Sequence, residues 1–144
     1  MINSLSLKYI FSYSGLIPYI FIIIDNFFLH IINIDILNNF LIYYSLIILV
    51  FIGAMNWSLE ANSSNLRIIY GFIPSFFAII IIFLNLYSYN QQYIFFSIIL
   101  FLLLQVITDY FFLFKKTNYL NIFYFLRLPL TSIIIFLLYF NLFL

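Results

Sequence analysis

Runs of Ile, Leu and Phe about 20 residues long, broken only by short polar links, decide what this chain can become. In water such a run would have no polar face to show. In a bilayer its backbone groups can be satisfied only inside a helix or a closed barrel. The apolar positions are continuous rather than alternating over segments of about ten residues, so helices are expected. Composition agrees, because 67% of the 144 residues are apolar and 6% are charged, against roughly a quarter charged in soluble domains. The expected fold class is all-α, a polytopic membrane helix bundle.

Five helices are read at about 7–29, 39–59, 66–86, 93–113 and 127–141, making one transmembrane domain over residues 1–144. Polar links separate them: Asn33, Asp35 and Asn38 in the first, residues 62–65 in the second, 88–92 in the third and 115–118 in the fourth. All five basic residues (Lys8, Arg67, Lys115, Lys116 and Arg127) fall at one end of this up-and-down arrangement. By the positive-inside rule the N-terminus is expected on the cytoplasmic or matrix side and the C-terminus on the far side. The first apolar run is longer than the ~7–15 residues of a signal peptide and no small-x-small site follows it, so it is expected to stay as an anchor. Without an Arg- and Ser-rich leader, the expected location is a bacterial cytoplasmic membrane or, alternatively, the mitochondrial inner membrane.

Gly15-Leu16-Ile17-Pro18 in the first helix is echoed by Gly71-Phe72-Ile73-Pro74 in the third, and Pro129 follows Arg127 in the fifth. A proline early in each outward-running helix would kink it and free a carbonyl one turn upstream. Gly53-Ala54 reads as a flat patch for close helix packing. If Pro129 occupies a first turn, where its missing N–H costs nothing, the fifth helix starts near 127 and 118–126 lies along the membrane surface. A start at Tyr119 would instead bury Arg127 about 12 Å deep.

The polar residues inside the apolar runs are the candidate site: Asn56, Trp57, Glu60, Arg67, Gln105, Asp109 and Arg127. Asn56 and Glu60 share one helix face, as do Gln105 and Asp109. Asp109–Arg127 and Glu60–Arg67 are expected as pairs that fix helix register, while a proton or ion relay and contacts to another subunit are the other readings. Trp57 also suits an interfacial belt, ring in hydrocarbon and polar edge in headgroups. His30 is the one histidine and cysteine is absent, so paired-histidine haem ligation, copper sites and zinc-protease motifs cannot be built within one chain. Asp25 and Asp35 lie too near the far boundary to argue a catalytic pair, and no phosphate loop, nucleotide fingerprint or serine-nucleophile motif is present.

In order along the chain, Gly15-Leu16-Ile17-Pro18, Phe51-Ile52-Gly53-Ala54-x-x-Trp57, Tyr70-Gly71-Phe72-Ile73-Pro74-Ser75 and Leu126-Arg127-Leu128-Pro129-Leu130-Thr131 resemble the bacterial and mitochondrial family typified by transmembrane protein 69, also known as domain of unknown function 3429. The chain departs from that pattern at Asn56 and Ser58, where a His or Arg and a Gly are usual. The resemblance implies a small multi-span inner-membrane protein and no particular chemistry. The expected function is a non-enzymatic scaffold, accessory subunit or assembly factor, with a small transporter or ion pathway through the polar cluster as the alternative. The lipid bilayer is the expected partner, with other membrane subunits or a second copy beside it; no cofactor, metal or nucleic acid is expected.

Overall fold

The computed structural model describes residues 4–54, 65–111 and 120–141. Five helices among them are long and apolar enough to cross a membrane. We number them α1 (Ser4–Ser14, Ile17–Ile24 and a π-helical turn Asp25–Leu29), α2 (Ile34–Ala54), α3 (Asn65–Leu86), α4 (Gln91–Asp109) and α5 (Leu120–Asn141). The chain is an all-α integral membrane protein. Helical hydrogen bonding serves most of the backbone, and exposed side chains such as Phe76, Ile80, Phe83, Phe125 and Phe136 are free to face lipid.

Packing closes a ring in the order α1, α5, α4, α3, α2, and α2 meets α4 across the middle. α2 is the hub and the most buried of the five. One apolar core runs through it, from Leu41, Ile42, Leu46 and Leu49 to Ile94, Ile98 and Leu102 of α4 and Ile134 and Leu138 of α5. Tyr19 of α1 enters this core with its hydroxyl 2.9 Å from Ser45 Oγ, which in turn donates to the Leu41 carbonyl at 2.7 Å. No polar atom of that pair is left without a partner in the apolar interior.

Each of the three prolines is accommodated differently. Pro18 stands at the start of the second segment of α1, after a break at Gly15 and Leu16. There the Gly15 carbonyl accepts from Tyr44 Oη of α2 at 2.9 Å. Pro74 lies inside α3 and presses on α2: a Cβ added to Gly53 would lie 2.6 Å from Pro74 Cγ and 3.0 Å from the Gly71 carbonyl oxygen. Gly53 is therefore required by the close approach of two backbones.

Pro129 corrects an expectation. α5 does not begin near 127; it is helical from Leu120, passes through a π-helical turn at Phe123–Arg127 and continues beyond the proline. The physical reason is that the lost hydrogen bond is replaced. Proline at 129 cannot serve the carbonyl four residues back, at Phe125, and Tyr13 Oη of α1 donates to that carbonyl at 3.0 Å. The described part of α2 likewise starts earlier than 39, at Ile34, because Asn33 Oδ1 accepts from the Asp35 N–H at 2.8 Å and so caps the helix. The expected end of that helix near 59 lies outside the described residues.

Candidate functional site

The two ends of the bundle carry its larger polar clusters. At the end flanked by the basic residues of the sequence, Asp109 in the last turn of α4 meets Arg127 of α5. Arg127 Nε donates to Asp109 Oδ2 at 2.8 Å, and Nη2 lies 2.7 Å from the same oxygen. Both side chains are almost fully enclosed. Helical already at Leu120, α5 carries Arg127 at least about 10 Å along its length, where it meets the last turn of α4. A guanidinium at that depth needs a carboxylate, and the geometry supplies one.

Neighbours complete the cluster. Tyr70 Oη of α3 lies 3.3 Å from Asp109 Oδ1 and 3.1 Å from the Gln105 carbonyl oxygen, and it is also hydrogen-bonded to Thr108 Oγ1. Thr131 Oγ1 donates to the Arg127 carbonyl at 2.9 Å and accepts from Arg127 Nη1 at 3.4 Å. Gln105, one turn deeper than Asp109, donates from Nε2 to the Leu49 carbonyl at 3.2 Å and so fastens α4 to the hub helix. Its Oε1 is buried with no hydrogen-bond partner among the described residues.

Of the residues singled out from sequence, Gln105, Asp109 and Arg127 are thus brought into one cluster. Gly53, Gly71 and Pro74 meet at the crossing of α2 and α3. Gly15, Pro18 and Pro129 mark the irregular turns of α1 and α5. Asn56, Trp57 and Glu60 lie outside the described residues, and Arg67 is placed only as part of the α3 backbone; the expected Glu60–Arg67 pair therefore lies outside them too. Tyr70 is the member that polarity alone did not single out. A tyrosine reads as an interfacial anchor until the helix carrying it is docked, although its place beside Gly71 and one turn before Pro74 was a usable signal.

The opposite end contains no ion pair among the described residues and is held by amides. Asn26 of α1 donates to Asn141 of α5 at 3.1 Å, Asn141 to Asn38 of α2 at 2.9 Å, and Asn38 to Gln91 of α4 at 3.3 Å. Asn85 of α3 joins through Asn39 Oδ1 at 2.9 Å and Tyr43 Oη at 3.1 Å. All five helices are linked in this way. Asp25 is fully buried here rather than marginal: its carboxylate accepts from the Ile31 and Ile32 N–H groups at 3.4 and 3.2 Å, turning the chain out of α1 beyond a left-handed His30. His30 itself is exposed.

Among the described residues, no group of three or more metal-ligating side chains comes together. No curated protein and no solved structure matches the chain. One family model does, that of the protein of unknown function DUF3429, over residues 6–143. The match takes in all five helices, the Gly53–Pro74 crossing and the Asp109–Arg127 pair, and the chain belongs to that family.

Proposed function

We propose that this protein is a non-enzymatic membrane scaffold, an accessory subunit or assembly factor that holds another membrane protein or a second copy of itself. The observation that carries the reading is the filled middle of the bundle. Between the charged cluster and the amide end, Leu49, Ile42, Ile98, Leu102, Ile134 and Leu138 are all essentially inaccessible and pack in one continuous core. A conduction path for ions or protons needs polar groups or water along its length. Here Tyr19 and Ser45, a polar pair within that core, are buried and hydrogen-bonded to each other, and the larger polar clusters lie at the two ends.

Crosslinking in native membranes followed by native mass analysis is expected to recover the chain with a stoichiometric partner or as a defined oligomer. Recovery only as a monomer would sink the reading. The transport alternative is favoured by one observation, the buried Gln105 Oε1 beside the ion pair, which has no hydrogen-bond partner among the described residues. Purified protein in vesicles is expected to pass no protons, cations or small metabolites, and a flux abolished by Asp109→Asn would reverse the preference.

The orientation we propose has the N-terminus on the cytoplasmic or matrix side of an inner membrane, supported by the placement of all five basic residues at one end. A reporter fused after Leu144 is expected on the non-cytoplasmic side and one inserted at Ser63 on the cytoplasmic side.

A further inference from the structure

The amide network is more than a latch, because it borders a cavity instead of closing on itself. A space of about 720 Å³ lies among the first turns of α2 and α4, the last turns of α3 and α5, and the 88–90 link. Seven of its twelve lining residues carry side-chain amides, among them Asn39, Asn85 and Gln91. The latch leaves part of each of these unused: Asn39 and Asn85 are joined through Asn39 Oδ1 and Asn85 Nδ2, and Gln91 accepts through Oε1. Asn39 Nδ2, Gln91 Nε2 and Asn85 Oδ1 make no hydrogen bond within the described residues, so the wall presents donors and an acceptor together. Asp35 is the one carboxylate among the described lining residues, and no Lys, Arg or His stands with it. Tyr89, half exposed, sets an aromatic ring at the same wall, and Phe95 is buried beneath.

We propose that this cavity binds an uncharged polyhydroxylated group, a sugar, at the level of the lipid headgroups. The chemistry of the lining selects it. A phosphate only accepts hydrogen bonds, and it would bring negative charge beside Asp35 with no cation in the lining to offset it. An ammonium only donates and would leave the amide N–H groups of Asn39 and Gln91 unmatched. A hydroxyl both donates and accepts, as each amide does, and the C–H face of a pyranose ring suits a tyrosine ring. The volume is of the size that ligand pockets have, roughly 300–1,000 Å³. This binding does not depend on the scaffold reading, and its test uses no partner protein.

The test is native mass spectrometry of the full chain, released from an amine-oxide detergent that has no sugar headgroup. Monoglucosyl diacylglycerol, phosphatidylglycerol and phosphatidylethanolamine of the same acyl chains are offered in turn. The glucosyl lipid is expected to be retained about tenfold more strongly than either phospholipid, the worth of one to two net hydrogen bonds. Gln91→Glu and Asn39→Asp keep the acceptor oxygens of the latch and remove the unused donors, so each is expected to bring retention down to the phospholipid level. Tyr89→Ala lies outside the latch and is expected to weaken retention severalfold with the melting temperature unchanged. Competition by free maltose would place the sugar on a soluble glycan, and failure to compete would place it on a lipid. Equal retention of the three lipids, or full retention by Tyr89→Ala together with the donor-less variants, overturns the proposal.

Discussion

The two ends of the bundle solve one problem, holding helices together where lipid offers no hydrophobic drive, with opposite chemistry. The charged end concentrates its binding in Asp109 and Arg127, on two helices, with Tyr70 reaching in from a third. The amide end distributes the work over Asn26, Asn38, Asn39, Asn85, Gln91 and Asn141, so that all five helices are linked. A concentrated contact fails abruptly when half of it is removed, because the remaining charge is stranded. A distributed one weakens by one bond at a time.

Stability measurements should expose that difference. The largest effect is expected from breaking the ion pair, since removing one partner of a buried pair costs about 3–5 kcal/mol. Asp109→Asn and Arg127→Gln should each lower the melting temperature sharply in nanodiscs. The double variant should lose much less than the sum, and additive losses would show that the two charges do not act as a unit.

Next comes the crossing of α2 and α3, which bears on neither polar end and so calibrates both. Gly53→Ala puts a methyl group 2.6 Å from Pro74 Cγ, and overpacking of this kind costs about 1–3 kcal/mol. Pro74→Ala in the same chain should recover part of the loss. A neutral Gly53→Ala would mean that the helices separate freely there.

The smallest effect is expected at the amide end. Asn38→Leu removes one acceptor and one donor of the chain between Asn141 and Gln91, and interhelical hydrogen bonds in membranes are worth about 0.6 kcal/mol on average. A shift as large as that of Asp109→Asn would show that the amides act as one cooperative unit, and the contrast between the ends would collapse.

The candidate site was legible in part. An acidic residue in an apolar helix and an arginine in the next are expensive alone, so Asp109 and Arg127 could be paired from their depths before any packing was known. The amide network was not legible. Asn26, Asn38, Asn85 and Asn141 sit at helix ends, where a polar residue is ordinary, and only the meeting of five ends makes them a set. Asp25 was hidden for a similar reason: its burial depends on the left-handed turn at His30, which folds two N–H groups back over the carboxylate.

What the sequence determined by itself was the class and the number of helices, because the bilayer permits so few ways to satisfy a backbone within apolar runs of that length. It also determined which residues needed partners. The tertiary structure decided where α5 begins, since a proline ends a helix only when nothing replaces its hydrogen bond, and here Tyr13 from a helix more than a hundred positions away supplies one to Phe125. It likewise decided that Gly53 had to be glycine, which follows from how closely α3 crosses α2 at Pro74 and from nothing adjacent in the chain.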